Sequence, residues 1–459
     1  MQAVIVAYFL LVIFISVLVS RRGRELHGYA IAGQRLSLIV GCLTLVATRV
    51  GAVLIIGTAS TAARSGWVAF LYPLSVAVAF VLLGFVLASK YNQAGIYTIT
   101  QLVGRTYGST ASVIAATLLT FYLLIVLAIQ IQSGGNLLAS FIGWSPEFSM
   151  AFLGCIVVLF VVLGGLWGIA YSDIVQLVLI YAGLGVLAWS SARSLGIGAH
   201  SLARSMRFYD QYSVTGGTVA SWFIASISTT LVSQGFVQRT SAARDRNTAK
   251  WASILAGLLI LPLGIFSTII GMASGVVGSE FGGVEAFVSQ AQDFPAILST
   301  LLLLSLFIML TSSAENTLHS VSLVSGCDLV GHFLRKRREE IDKGKQPVHI
   351  IKTMVIICGI VATTMATRMQ GDIIGTWVFG ASVFGVSLFM PVVSIFYWRR
   401  STIATIASMI ISSAFMILSL VWPIRRIADP TVLTLITSTL VYIAVTLVLP
   451  SQYSKSLSE

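Results

Sequence analysis

Long apolar runs separated by short polar connections dominate the chain. A transmembrane helix needs about 20 mostly apolar residues, and thirteen runs of about that length can be traced. They cover roughly residues 2–20, 36–57, 67–89, 110–137, 146–168, 171–192, 216–238, 251–273, 296–326, 348–369, 373–397, 402–423 and 430–449. This pattern predicts an all-α polytopic membrane protein with a single transmembrane domain over residues 1–459.

Composition supports the same class. The chain is 57% hydrophobic and 10% charged, with a mean hydropathy of +0.94, whereas soluble proteins carry about 25% charged residues. A soluble enzyme, a disordered chain and a secreted disulfide scaffold are therefore excluded. No metal-ligand spacing links the cysteines, so they are interpreted as packing residues. The first run lacks a basic leader and a cleavage site, which predicts a retained helix.

The distribution of basic residues predicts the orientation. With the N-terminus outside, the inner segments hold 20 Lys and Arg residues and the outer segments hold 7, as the positive-inside rule requires. This bias accounts for the net charge of +12 without nucleic-acid binding. It places the chain in a lipid bilayer with its C-terminus in the cytoplasm, and the short outer loops favour a plasma membrane of the bacterial inner-membrane kind. An amphipathic helix is expected near 202–208, and a solvated loop at 335–346.

The second run carries polar residues in its middle, where they are costly. Thr48 and Arg49 stand beside Gly51, a composition typical of an interrupted helix whose freed carbonyls line a cavity. These three residues are candidate substrate ligands. The alternative is that Arg49 snorkels or pairs with a buried acid, for which Asp173 and Glu315 are available.

The seventh run resembles a second interruption. Ser228, Thr229, Ser233 and Gln234 precede a glycine, and two interrupted helices in corresponding halves of a chain indicate a transporter binding site. We therefore add these four residues to the candidate substrate site. Gln130 of the fourth run is a weaker candidate, because a hydrogen bond between helices explains it equally well.

The ninth run predicts a cation site. Met309, Ser312 and Ser313 share one helix face, and two hydroxyls with a carbonyl suit an alkali cation better than a transition metal. The alternative is that the hydroxyls only join helices or bond back to their own helix. Asp173 is expected at the start of the sixth helix, where capping of that helix and ion coupling are two equally good interpretations.

Absent motifs narrow the function. The chain has no Walker motif, nucleophile elbow or zinc-protease motif, so an enzyme and an ATP-driven pump are disfavoured. No potassium-selectivity sequence or arginine ladder is present. A secondary transporter of a small solute is the first expectation. A solute sensor built on a transporter fold and a sodium-independent uniporter or channel are the alternatives.

Four ordered segments resemble the sodium/solute symporter family, from about Tyr29 to Arg400. They are YAIAGQRLSLIVGCLTLVATRVGAVLIIGTAS, GGLWGIAYSDIVQLVLI, QGFVQRTSAARDRNTAK and SSAENTLHSVSLVSGCDLV. The resemblance implies a leucine-transporter-like core of two inverted five-helix repeats. In this chain those repeats would be residues 36–192 and 216–398, preceded by the extra helix 2–20 and followed by the C-terminal helices 402–449.

The resemblance also implies ligands for Na⁺ as the coupling ion. The main sodium site would use the carbonyls of Ala47, Val50 and Met309 with the hydroxyls of Ser312 and Ser313. A second sodium site would use Asp173.

Arg49 departs from the choline-carrier branch of the family, which has an aromatic residue at this position. A guanidinium would repel a quaternary ammonium and suits a carboxylate. The expectation is therefore sodium-coupled symport of a small organic anion by alternating access.

Overall fold

A computed structural model of the protein describes residues 25–195, 214–276, 284–331, 348–369, 372–421 and 429–449. Across these ranges the chain is almost entirely helical, and the only extended pairing is an isolated bridge between Leu36 and Ala243. The predicted helix 2–20, the amphipathic segment near 202–208 and the loop 335–346 lie outside the described residues.

The helices are numbered here in chain order. They are α1 (Leu26–Ile31), α2 (Leu38–Arg49), α3 (Ile56–Ser65), α4 (Leu71–Leu83), α5 (Ser89–Ala94), α6 (Ile99–Tyr107), α7 (Ser109–Ile142), α8 (Pro146–Ser194), α9 (Gly216–Val232), α10 (Gln234–Ala242), α11 (Arg246–Val276), α12 (Val284–Gln292), α13 (Ala296–Val324), α14 (Val348–Ala366), α15 (Ile373–Ala381), α16 (Ser387–Tyr397), α17 (Thr402–Leu418) and α18 (Pro430–Val448). Single π-helical segments join α4 to α5 and α15 to α16, and another extends α13.

The predicted apolar runs that fall within the described ranges are helical. Eight helical segments there are long and apolar enough to cross a membrane, and α2, α9 and α17 are shorter apolar helices. The all-α membrane architecture is confirmed, whereas the count of thirteen crossings stays a prediction.

The fifth and sixth runs join into one bent helix, α8. Its 49 residues would measure about 73 Å if straight, more than twice the bilayer core. The bend lies at Gly165, whose φ of 55° and ψ of −163° suit glycine alone. The Tyr29 ring packs against Gly165, and the Tyr29 hydroxyl donates to the Val161 carbonyl at 2.9 Å. The two halves of α8 can therefore serve as separate crossings.

Two other helices are interrupted, as the sequence predicts. Residues 50–55 separate α2 from α3, and Ser233 alone separates α9 from α10. Ser233 is extended, with φ −71° and ψ 138°. Each break leaves backbone groups without helical partners, so the neighbouring helices determine what those groups can bind.

Polar side chains point inward and many apolar ones point outward. Ile297 is 81% exposed and Val178 is 66% exposed, whereas the Ser, Thr, Asn and Glu residues of α13 between Ser305 and Ser322 are buried. This inversion of the soluble pattern is expected of a bundle in lipid. The polar half of α13 lies at the centre of the bundle, against α8, α7 and α2.

Candidate transport site

The break after α2 presents unpaired carbonyls. The Val50 amide donates to the Val46 carbonyl at 2.8 Å and ends the helix. Within the described backbone, no amide donates to the carbonyls of Ala47 or Val50. The Ala52 amide is held by Gln130 Oε1 at 2.8 Å. Gln130 therefore supports the break itself, and the two carbonyls remain available to a cation.

Gly51 allows the break to meet α13 closely. A methyl group at this position would lie 2.5 Å from Ser313 Oγ and 2.6 Å from Gln130 Nε2. One turn earlier on α2, Thr48 Oγ1 lies 3.2 Å from Asn316 Oδ1. The end of α2 thus runs beside the Ser312–Asn316 segment, and the oxygen atoms expected to bind sodium lie along this one contact. Met309 is buried one turn earlier on α13.

Asp173 accepts three hydrogen bonds from two other helices. Thr44 Oγ1 donates at 2.6 Å, Ser312 Oγ at 2.9 Å and Asn316 Nδ2 at 3.1 Å. The expectation that Asp173 opens a helix was wrong, since the second half of α8 starts after Gly165 and Asp173 lies two turns further on. Asp173 therefore does not cap a helix. Its carboxylate joins α8 to α2 and α13.

Arg239 belongs to the same polar network. It is one of the 20 basic residues assigned to the inner segments, and the structure buries it, with 1% of its surface exposed. Its Nη1 donates to the Gly235 carbonyl at 2.7 Å, and its Nη2 donates to Asn316 Oδ1. Asn316 thus lies between Arg239 and Asp173. The sequence concealed this role because an arginine at the end of an apolar run resembles a topological signal.

Arg49 lies in a separate, aromatic environment. Its side chain is 8% exposed, and its Nη2 donates to Tyr72 Oη at 3.0 Å. The guanidinium carbon lies 4.5 Å from the ring centre of Trp377 and 5.9 Å from that of Tyr72. Its Nε is buried and has no hydrogen-bond partner in the described structure.

The proposed acid partners do not pair with Arg49. The ion pairs found within the described ranges are Arg64–Asp372 at 4.0 Å and Arg244–Asp245 at 3.1 Å. Asp173 is instead surrounded by hydrogen-bond donors, as described above. Among the described residues, the Arg49 charge is thus balanced by ring faces and one phenol oxygen.

A connected set of rings holds this environment. Tyr72 packs edge-on against Trp222, with 6.0 Å between centroids, and against Trp377 at 5.5 Å. Trp377 Nε1 donates to Tyr122 Oη at 3.1 Å, and the Tyr122 ring stacks on Phe384. Sequence reasoning missed these residues, because aromatic positions in apolar runs are usually core.

The hydroxyls of the second interrupted helix mostly bond to that helix. Ser228 Oγ donates to the Ile224 carbonyl at 2.6 Å, and Thr229 Oγ1 donates to the Ala225 carbonyl at 2.5 Å. Ser233 lies at the break, where its carbonyl accepts from the Phe236 amide at 3.2 Å. Ser228 and Thr229 therefore bond back to the preceding turn of α9.

The Gln234 side chain hydrogen-bonds to the backbone at the start of α6. Its Nε2 donates to the Tyr97 carbonyl at 2.7 Å, and its Oε1 accepts from the Ile99 amide at 3.0 Å. It fastens the start of α6 to α10. The structure therefore brings Thr48, Gly51 and the α13 serines together, but it assigns Gln130 and Gln234 to backbone support.

A cavity of about 910 Å³ opens at one end of the bundle, and we call it the vestibule. It lies between the ends of α3 and α17 and the starts of α9, α15 and α18. Arg64 and Asp372 pair in its wall, and Trp222 also lines it. Because Trp222 packs against Tyr72, the vestibule leads toward the ring set around Arg49.

At the end of the bundle away from the vestibule, hydrogen bonds join two segments of the chain. The Leu36 amide donates to the Ala242 carbonyl at 3.1 Å, and the Arg244 amide donates to the Leu36 carbonyl at 3.0 Å. Asn92 Nδ2 adds a bond to the Ala243 carbonyl at 2.7 Å. Within the described residues, the segment before α2 is thereby tied to the end of α10, and we call this contact the seal.

Comparison with known proteins gives consistent similarities. A family profile described as "Sodium:solute symporter family" matches residues 29–412. The chain is 24% identical over 432 residues to a high-affinity choline transporter 1 from Caenorhabditis elegans, covering 86% of this chain and 73% of that protein. It is 29% identical over 268 residues to a sodium/glucose cotransporter 2 from Rattus norvegicus, covering 56% of this chain and 39% of that protein. The chain thus matches less than half of the glucose cotransporter's length.

Solved structures share the fold. A substrate-bound, outward-open Na⁺-coupled sialic acid symporter superimposes with a TM-score of 0.83 at 18% identity, covering 99% of both chains. MhsT in complex with L-phenylalanine gives a TM-score of 0.60 at 16% identity, covering 89% of this chain and 99% of that one. The leucine-transporter-like fold class is therefore confirmed.

Proposed function

The chain belongs to the sodium:solute symporter family, and from this premise we propose that it carries a small organic anion together with sodium. Family membership makes it a membrane transporter and not an enzyme, with sodium as the coupling ion. The anionic character of the solute, the residues that bind it and the orientation in the membrane are our proposal.

Arg49 carries the proposal of an anionic solute. Burying a charge without an opposite charge costs several kcal/mol, and a cation–π contact returns only about 0.5–2 kcal/mol. The unbonded Nε and the absence of a carboxylate partner in the described residues leave the guanidinium undercompensated. A substrate carboxylate would supply both the charge and the paired acceptors that a guanidinium prefers.

Sodium would bind where the α2 break meets α13. The carbonyls of Ala47 and Val50 accept no described backbone amide, and the hydroxyls of Ser312 and Ser313 lie beside this break. Met309 would add a third carbonyl. Because Ser312 Oγ donates its hydrogen to Asp173, its lone pairs stay free for a cation, and the carboxylate makes that oxygen a stronger ligand.

The solute site we propose contains fewer residues than the candidate set predicted from the sequence. Arg49 provides the charge, and the backbone around Gly51 and Ser233 provides polar groups at both breaks. Thr48 contributes at the α13 side.

Transport would proceed by alternating access. The positive-inside bias makes the vestibule the outer end, so the solute would pass Trp222 to reach Arg49 while sodium holds α2 against α13. The vestibule would then close and the Leu36–Ala243 seal would open.

The net charge carried in each transport cycle sets the contribution of the membrane potential. Symport of a monovalent anion with one sodium ion is electroneutral. A second sodium ion near Asp173 would add one net charge, worth about 2.3 kcal/mol per 100 mV, or roughly fifty-fold accumulation.

Uptake into proteoliposomes tests the proposal. A panel of labelled carboxylates and choline is assayed with and without an imposed sodium gradient. We expect uptake of carboxylates but not of choline, and only when the sodium gradient is present. Arg49→Ala should abolish uptake while sodium still raises the thermal stability of the protein. Arg246→Ala, at an exposed position, is the matched arginine control. Sodium-insensitive flux would instead support a uniporter or channel, and binding without flux would support a sensor.

A further inference from the structure

The aromatic rings around Arg49 form a box, and the Arg49 guanidinium fills it. We infer that Arg49 is a built-in occupant of an organic-cation site, and that its guanidinium blocks organic cations by filling the space such a ligand would take. Arg49 would then determine the charge selectivity of the carrier in two ways, by attracting anions and by occupying the cation box.

The box geometry fits a cation. Trp377 offers its face at 4.5 Å from the guanidinium carbon, and Tyr72 offers its ring at 5.9 Å and its hydroxyl oxygen at 3.0 Å from Nη2. Both centroids lie within the roughly 6 Å at which an aromatic face attracts a cation. In the described structure no carboxylate pairs with this guanidinium, so the rings are the main partners of the charge.

The walls are supported independently of Arg49. Trp377 is fixed by its hydrogen bond to Tyr122, whose ring stacks on Phe384. Tyr72 is wedged edge-on between Trp222 and Trp377. These rings come from four separate segments of the chain, and each has a neighbour other than the arginine. The box should therefore keep its shape when Arg49 is shortened.

Removal of Arg49 would leave a defined vacancy. Arg49→Ala deletes the atoms of one N-ethylguanidinium ion. Trp222 lines the vestibule and packs against Tyr72 of the box, so a ligand would enter from the vestibule past Trp222. A free ethylguanidinium ion matches the missing atoms and keeps the charge. N-ethylurea matches the shape without the charge, so the pair of ligands separates recognition of charge from recognition of space.

The inference rests on the proposed function only for the route by which a ligand enters the box from the vestibule. Anion uptake by the native protein tests the proposed function, whereas cation binding to a purified variant tests the box. One can fail without the other.

The experiment measures binding to purified Arg49→Ala by calorimetry and thermal shift. We expect ethylguanidinium to bind the variant and stabilise it, ethylurea to bind at least about tenfold more weakly, and neither to bind the native protein. Adding Trp377→Leu to the variant should weaken ethylguanidinium binding by a further factor of about ten. Equal binding of the two ligands, or no effect of Trp377→Leu, would overturn the inference.

Arg49→Ser provides a second variant, tested with methylguanidinium against methylurea. Its hydroxyl can bond back to its own helix, as Thr48 does, so this variant would not bury an unpaired hydroxyl. If neither variant is stable alone, the yield of folded protein purified with the guanidinium ion against the urea becomes the measurement. Higher yield with the cation supports the box, and equal or no recovery contradicts it.

Discussion

Buried charges in this protein differ mainly in the partners that surround them. Asp173 accepts from Thr44, Ser312 and Asn316, all within 3.1 Å, while Arg49 rests on ring faces. A carboxylate with three donors is stable in a low-dielectric interior, and it also strengthens the oxygens that donate to it. The charges of this site therefore act through their neighbours.

Asp173 is expected to control the apparent affinity for sodium. Asp173→Asn removes the negative charge, and the amide cannot accept all three hydrogen bonds. We expect the apparent sodium affinity to fall by tenfold or more, measured as sodium-dependent thermal stabilisation of the purified protein. Ser322→Ala is the control, because Ser322 is buried in α13 but bonds to His319 of its own helix. An unchanged sodium response in Asp173→Asn would assign the carboxylate a packing role.

Ser313 is a proposed sodium ligand, and its loss should change the sodium requirement of transport. Its hydroxyl lies where a side chain on Gly51 would be, facing the break of α2. Ser313→Ala removes one proposed sodium ligand without changing volume much. Sodium-driven uptake should therefore need several-fold more sodium, while solute binding at saturating sodium is retained. A loss equal to that of Ser322→Ala would contradict the assigned role.

Some site residues could be predicted from the sequence by their own polarity, whereas others are recognised only by the residues they contact. Arg49, Asp173 and the α13 serines were predicted because a polar group in an apolar run is costly wherever it points. The pairing of Asn316 with Arg239, and of Arg49 with Trp377, depends on how each helix is rotated and which helices meet. Neither follows from a single sequence, since ring and arginine positions satisfy core and topology patterns equally well.

At the scale of helices, breaks and bends decide where polar backbone is exposed. The Gly51 and Ser233 breaks were predictable, because small and polar residues interrupt otherwise apolar runs. The union of two predicted runs into α8 was not, since the bend at Gly165 keeps the helix hydrogen-bonded on either side. Gly165 itself stands out only through its backbone angles and its contact with Tyr29.

Gly165→Ala should destabilise the fold by about 2–4 kcal/mol. Its dihedral angles lie in a region that is essentially glycine-only, where strain costs about 1–3 kcal/mol, and a methyl group would lie 2.6 Å from the Tyr29 ring. Gly95→Ala is the matched control, because Gly95 also has a positive φ, of 56°, but meets nothing within 4 Å. Thermal unfolding in detergent should show the larger loss for Gly165→Ala. Since Gly95 lies in the αL region, with ψ 35°, equal losses would mean that neither the Tyr29 contact nor the glycine-only backbone angles of Gly165 contribute.

In the whole molecule, the vestibule lies at one end of the described bundle and the seal at the other. The seal joins the segment before α2 to the end of α10, and these are the ends of the two interrupted helices that lie away from the vestibule. Both helices would have to separate for the solute to leave. The arrangement predicts that locking this single contact stops transport without disturbing the sites above it.

A disulfide across the seal tests this directly. Leu36 and Ala243 are bridge partners, so their Cα atoms are expected about 4.8 Å apart, within the roughly 4.4–6.8 Å that a disulfide requires. In a background with the exposed Cys155 replaced by serine, oxidised Leu36→Cys/Ala243→Cys should lose sodium-driven uptake. It should keep sodium-dependent stabilisation, because the break between α2 and α3 is untouched. Reduction should restore uptake, and either single cysteine should transport normally. Transport that continues with the bond formed would mean that the solute leaves by a route that does not separate α2 from α10.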